Sequence, residues 1–295
     1  MVCMGFAAIG SKPHTHHAAT QQKAPCDTRD GVLLFLHANK GNEGVSRVIP
    51  GKEEINYMVK HISHPHVSRH APGETVYERY LRTEELLSLQ KPEDELVHHD
   101  ELQFQVVHQV FELWWKETAF ELRSIRGLLQ QYNPPPALRL LQRVIRIQFV
   151  MLENLRMLET MSPWDFHEFR KVLADGAGTD SPGFHALMTL SPLLWDDFTQ
   201  LLAHEQVSLP DVYIHADRYP LLMAFAEALT DYDEVFQIFR TQHFKLAQRM
   251  IGPGSIGTGG TPMEMLERTL KDVFYPELWE VRNQLTKIAD EQGLK

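Results

Sequence analysis

Between Glu101 and Tyr132 the chain carries apolar side chains at almost every angle around a helix: Phe104, Val107, Phe111, Leu113, Trp114, Trp115, Phe120, Leu122, Ile125 and Leu128. A surface helix needs one apolar stripe, so a helix that is apolar all round has to be enclosed by other elements. The spacing therefore predicts a helix buried inside a bundle. It is ended by Pro134-Pro135-Pro136, whose rings cannot continue a helical ladder. Leu138 to Met161 predicts a second long helix. Ser162-Pro163 then reads as an N-cap followed by proline at the first helical position, opening a helix over Trp164 to Leu173. Tyr219 to Met250 predicts a further long helix, with a break expected at Asp231.

The remaining segments fit the same class. Tyr77 to Gln90 is amphipathic and stops at the breaker Lys91-Pro92-Glu93-Asp94. Ala174 to Gly183 reads as a glycine-rich loop, and Pro262 to Leu270 and Pro276 to Ala289 read as helices. Residues 1–75 mix polar, Pro, Gly and His positions around one short β-like run, Val32 to Leu36, and read as a loosely organised arm. With no internal repeat and almost no strand, the expected class is mainly α: a bundle of long antiparallel helices over 76–295, preceded by the arm 1–75.

Charge and cysteine usage exclude several functions. At 43% hydrophobic residues over 295 positions the chain can bury a sizeable core. The 29 Lys+Arg against 39 Asp+Glu give a net charge of −10, which argues against a nucleic-acid or anionic-membrane partner. Cys3 and Cys26 both sit in the arm, so the fold has neither a disulfide framework nor a cysteine metal cluster. The opening MVCMGFAAIGSKP lacks the basic and apolar regions of a signal peptide, and no run reaches 18 apolar residues. A cytoplasmic location is expected.

Three constellations carry possible chemistry. In the first, Phe104 and His108 are four apart on one helix face, where a neutral imidazole beside a ring can meet an aromatic, hydrogen-bonding substrate. His108 is equally read as a core histidine bonded to a backbone carbonyl or to Glu112. A carboxylate–histidine metal site drawn from His98, His99, Asp100, Glu101, His108 and Glu112 lacks the Glu-x-x-His spacing of a di-iron bundle. His98 to Glu101 look instead like a capped helix start.

In the second, Phe166 and Arg170 share a face by the same spacing, and a guanidinium in a bundle cavity suits a planar carboxylate. The competing reading is a surface arginine paired with Asp165 or Glu168. In the third, FRTQHFKLAQRMIGPGSIGTGG, helical His243 leads into a run of glycines around Thr258. A histidine there is a candidate haem or metal ligand, and the glycines let backbone and the Thr258 hydroxyl approach a ligand closely.

HHDELQFQVVHQVFELWWKETAFEL, LETMSPWDFHEFRKVL, QHFKLAQRMIG, GTGG and FYPELWEVR occur in one order from about Val76 to Leu285. This set resembles the tryptophan 2,3-dioxygenase family. The resemblance implies a homotetrameric haem b enzyme that uses dioxygen to open the indole 2,3-bond of L-tryptophan, giving N-formylkynurenine. It implies His243 as the axial ligand of the haem iron, with Arg249, Gly257 and Phe104 lining the cofactor. It implies His108 as the histidine that contacts the indole nitrogen, orienting the ring more than abstracting a proton. Phe104 and Phe166 then wall the substrate, Arg170 holds its carboxylate, and Thr258, with a haem propionate, receives its ammonium group. Tyr77 and Tyr80, in VYERYL, resemble the family's N-terminal tyrosines, which enter a neighbouring subunit's pocket.

The chain departs from the family pattern in two places. Thr261-Pro262-Met263 follows GTGG in place of a serine pair and glycine, and the loop before Gly183-Phe184 is longer than usual. These departures keep two alternatives open. One is haem-dependent monooxygenation of tryptophan or a methyltryptophan at C2, giving a 2-oxindole. The other, of a different class, is a non-catalytic haem-binding or gas-sensing bundle.

Overall fold

A computed structural model describes residues 69–71, 74–173, 176, 178–257, 260 and 262–294. All of these belong to one unit, Val67–Lys295. The Val32 to Leu36 run and the rest of the arm before residue 69 lie outside the described residues, as does Thr258.

Two short strands, β1 (Arg69–Ala71) and β2 (Glu74–Thr75), pair antiparallel with Arg69 opposite Thr75. Thr75 then caps α1 (Val76–Leu81): its hydroxyl accepts from the Glu78 N–H at 3.1 Å while the Glu78 carboxylate accepts from the Thr75 N–H. The expected single run over Tyr77 to Gln90 is divided at Arg82, whose φ of 52° is left-handed, and α2 (Thr83–Leu87) resumes beyond it. Tyr77 and Tyr80 on α1 are 65% and 85% exposed.

The buried helix of the sequence is α3 (His99–Leu129). It starts at His98 because the imidazole accepts the Asp100 N–H at 3.1 Å, and Asp100 and Glu101 in the first turn suit the positive end of the helix dipole. Val107, Phe111, Trp115, Leu122, Ile125 and Leu129 form its core face. Burial is not complete on every side, however: Leu113 and Phe120 remain 52% and 59% exposed. The prolines open α4 (Pro134–Met157), where the missing N–H costs nothing.

Three contacts fix α4 antiparallel to α3. Asn154 Nδ2 donates to the Val107 carbonyl at 3.0 Å, Gln103 Nε2 donates to the Met157 carbonyl at 3.1 Å, and Arg143 pairs with buried Glu121. Between them Leu141, Val144, Met151 and Leu155 are buried, each worth about 1.5–3 kcal/mol.

Ser162 caps α5 (Pro163–Phe169), which continues as a 3₁₀ turn over Arg170–Leu173. After α6 (Pro182–Leu190), α7 (Leu193–His204) and α8 (Leu209–Ile214) comes α9 (Pro220–Ile251), which packs along α4. The break expected at Asp231 is absent. Asp231 faces solvent between buried Thr230 and buried Tyr232 and Asp233, and its modest propensity cost is outweighed by the packing on either side. Helices α10 (Met263–Arg268) and α11 (Pro276–Glu291) close the fold. Among the described residues no helix is long and apolar enough to cross a membrane.

Buried Asp233 ties α11 to α9. Its carboxylate accepts from the Phe274 N–H at 2.9 Å, the Tyr275 N–H at 3.4 Å and the Trp279 indole N–H at 2.9 Å. Asp233→Ala leaves three donors without an acceptor, and the expected destabilisation is about 3–5 kcal/mol, read as a lowered urea midpoint. Asp233→Asn retains one acceptor and is expected to lose less.

Candidate functional site

Helices α3, α5 and α9 bring the aromatic and basic candidates to one place. Phe104 and His108 stack along α3 with ring centroids 4.1 Å apart, and α5 sets Phe166 at 6.0 Å and Phe169 at 5.7 Å from Phe104. Going the other way, His108 meets Phe111 edge-on at 6.1 Å, Phe111 meets Phe239 of α9 at 5.6 Å, and Phe239 lies nearly parallel to His243 at 6.4 Å. A continuous layer of rings thus joins His108 to His243.

The two histidines sit in different hydrogen-bond environments. His108 Nδ1 lies 2.7 Å from the Phe104 carbonyl, which can only accept, so Nδ1 carries the proton and Nε2 keeps its lone pair. This is the backbone-carbonyl bond foreseen for a core histidine, made here with the other nitrogen left free. Burial pushes the His108 pKa down, against a smaller upward pull from the carbonyl and from Glu112. His243 has no hydrogen-bond partner among the described residues. Its ring keeps some open surface but is crowded by protein, and that burial, with His108 close by, pushes its pKa down to about 4. Both rings are neutral near pH 7. A neutral imidazole with an uncommitted nitrogen in aromatic surroundings is a suitable axial ligand for haem iron, so the residues present fit that cofactor.

Arg170 follows the C-terminal end of α5 and is half-buried. It does not pair with Asp165 or Glu168. Its Nη2 donates to the carbonyl of Ile256 at 2.7 Å, joining α5 to the glycine run. Glu168 instead accepts from the Trp164 indole N–H at 3.0 Å. The glycine run begins at Gly252, which ends α9 with φ 88°, a conformation that side chains resist. Ile256 then forms an isolated antiparallel bridge with Pro262, and Met263 is buried. Gly257 is half-buried within this turn, next to Thr258, which lies outside the described residues. Arg249 is on the surface, 3.8 Å from Glu159.

Reasoning from the sequence did not single out Phe111, Phe169 or the Ile256 carbonyl. Phe169 had a signal, since it stands three residues after Phe166 and so shares its face. The Ile256 carbonyl had none, because a backbone acceptor has no residue type. Glu112, one turn beyond His108 and weighed from the sequence as its partner, is engaged elsewhere. Its carboxylate accepts from the Ser181 hydroxyl and from the Gly183 N–H at 3.1 Å, pinning the start of α6. Among the described residues no group of three or more His, Cys, Asp or Glu side chains gathers as a metal site. Two surface concavities lie elsewhere, one of about 300 Å³ at Val110, Leu113, Trp114 and Glu117 and one of about 710 Å³ at Arg139 to Phe149. Neither includes a candidate residue, so the site is identified by its chemistry and not by volume.

Comparison with known proteins gives a consistent outcome. The sequence model of the tryptophan 2,3-dioxygenase family matches residues 62–191. A tryptophan 2,3-dioxygenase of Caulobacter vibrioides is 34% identical over 260 residues, covering 71% of this chain and 98% of the relative. Those of Serratia proteamaculans and a Nocardioides species are 29% and 31% identical, over 71% and 72% of this chain and 92% and 96% of the relatives.

Proposed function

The chain belongs to the tryptophan 2,3-dioxygenase family, and from that premise we propose that it is a haem-dependent oxygenase converting L-tryptophan and dioxygen to N-formylkynurenine. The observation that carries this reading to the residues is the pair of neutral histidines at the two ends of one aromatic layer, one with both nitrogens uncommitted and one with its tautomer fixed. His243 would hold the haem iron, with Phe104, Arg249 and Gly257 lining the cofactor. Bound there, haem supplies dioxygen activation.

The protein's part is recognition. An amino acid brings a carboxylate, an ammonium and an indole N–H into a site where each unpaired group costs free energy. His108 Nε2 accepts the indole N–H, because the Phe104 carbonyl holds the imidazole proton on Nδ1. Phe104 and Phe166, whose ring centroids are 6.0 Å apart, together would form the aromatic wall against which the indole lies. Arg170 has five donors and spends one on Ile256, which leaves a fork for the carboxylate. Thr258, two residues after Ile256, receives the ammonium group. The working unit in this reading is a homotetramer, for which the exposed Leu113 and Phe120 supply apolar surface, and Tyr77 and Tyr80 project where a neighbouring pocket can take them.

The product tests the reading. Ferrous, haem-loaded protein given L-tryptophan and oxygen is expected to yield a product heavier by two oxygen atoms, with the absorbance of N-formylkynurenine. A gain of one oxygen would make it a monooxygenase instead, and no turnover of any aromatic amino acid would overturn the enzymatic reading.

A further inference from the structure

Helix α5 carries Phe166 and Arg170 toward the site, yet it has only seven residues, and a helix that short has little stability of its own in water. Its rotation about its own axis is therefore set by what it touches. Buried Phe166 and Phe169 hold one face, and the bond from Arg170 to the Ile256 carbonyl holds the C-terminal end. A further hold comes from behind the site, from His98 at the start of α3.

His98 acts in two directions. Its Nδ1 accepts the Asp100 N–H at 3.1 Å, which caps α3 and leaves the ring proton on Nε2. That Nε2–H faces α5, where Glu168 Oε2 lies at 3.8 Å and Asp165 Oδ1 at 4.0 Å. Both separations are longer than a hydrogen bond, so this attraction is electrostatic. The two carboxylates are three residues apart and share one face of α5, and the other oxygen of Glu168 is fixed by the Trp164 indole N–H at 3.0 Å.

The imidazole also packs against α5 directly. It lies nearly parallel to Phe169, with 20° between the planes and centroids 6.2 Å apart. Phe169 in turn meets Phe104 at 5.7 Å and Phe166 at 5.5 Å, edge-on in both cases. His98 therefore backs the ring on which both substrate-facing phenylalanines rest. From the sequence it read only as part of a capped helix start.

We propose that His98 is a positioning residue for L-tryptophan binding: by holding Phe169 and the Asp165–Glu168 face from behind, it fixes the rotation of α5 and so aims Arg170 at the substrate carboxylate. This rests on the reading of Arg170 given above. The long arginine side chain is the group that a small rotation of α5 displaces most, and a misplacement of about 1 Å can cost about 100-fold in rate.

Two substitutions in the haem-loaded enzyme separate the cap from the grip on α5. His98→Asn keeps an N-cap oxygen but loses the ring and its N–H, so the urea midpoint is expected to stay at the parent value while KM for L-tryptophan rises about tenfold and kcat changes little. His98→Phe keeps the stack on Phe169 but loses the cap, so it is expected to lower the urea midpoint and raise KM less than His98→Asn does. In an Arg170→Ala background His98→Asn should add little to KM, since residues acting through one another are not additive. A parental KM in His98→Asn, or the same fold-rise with and without Arg170, would reduce His98 to a helix cap or a packing residue and overturn the proposal alone. An unchanged KM in Arg170→Ala itself would overturn the reading of Arg170 and this inference with it.

Discussion

His243→Ala is expected to purify as a folded helical protein that retains no haem, with the Soret band reduced to background and no turnover of L-tryptophan. The fold does not depend on this side chain: its ring makes no hydrogen bond among the described residues and is only half-buried, so removing it disturbs the core less than losing Phe239 or Phe244, both buried beside it. Helix α9 is held by its packing against α4 and by Asp233, both independent of position 243. Far-UV circular dichroism should therefore match the parent while haem content falls. Added imidazole should restore part of the Soret absorbance, because the free base can occupy the space the side chain leaves. Stoichiometric haem with an unaltered spectrum in the variant would show that the axial ligand lies elsewhere.

What made His243 legible was its setting. A histidine inside a long apolar helix, followed by a glycine run, stands out because neither belongs in a continuous core segment. The long helices were legible for a related reason: α3 and α4 repeat apolar residues with helical period, and the prolines and Ser162 mark their ends. The breaks were less readable. Arg82 enters the left-handed region with no glycine to announce it, whereas Asp231, a residue that often marks a helix end, is carried through by buried neighbours. The second outcome is decided by packing against residues distant in sequence, which local propensity does not contain.

The same limit applies at the site. Phe104, His108, Phe166 and Arg170 could each be placed on a helix face from spacing, but whether two faces point at each other depends on how helices cross. Asn154 and Gln103, which fix α4 against α3, look like ordinary polar surface residues until their acceptors, the Val107 and Met157 carbonyls, are known. Glu112 illustrates the point from the other side. As a residue it was weighed as a partner of His108. Its oxygens turn out to be taken by a segment about 70 residues away, at the start of α6, and not by the imidazole.

Arg170→Ala is expected to raise KM for L-tryptophan about 100-fold while changing kcat much less, since two parallel charge-assisted hydrogen bonds to a carboxylate are each worth about 1.5–3 kcal/mol. Arg170 has a second role that complicates this expectation: its bond to the Ile256 carbonyl holds the turn leading to Gly257 and Thr258. Losing the guanidinium could raise KM through either contact. Tryptamine separates them, because it keeps the indole and the ammonium group but lacks the carboxylate. If Arg170 acts by binding the carboxylate, the parent already handles tryptamine poorly and Arg170→Ala makes it no worse. If its main work is to hold the turn, the variant loses the same factor on both substrates. Arg170→Lys sharpens the distinction, since an ammonium retains the charge and can reach one acceptor but not present a planar fork. On the carboxylate reading it should recover only part of the affinity for L-tryptophan and none for tryptamine. A full recovery with lysine, or equal losses on the two substrates, would assign Arg170 to the turn at Ile256 and leave the carboxylate to another donor.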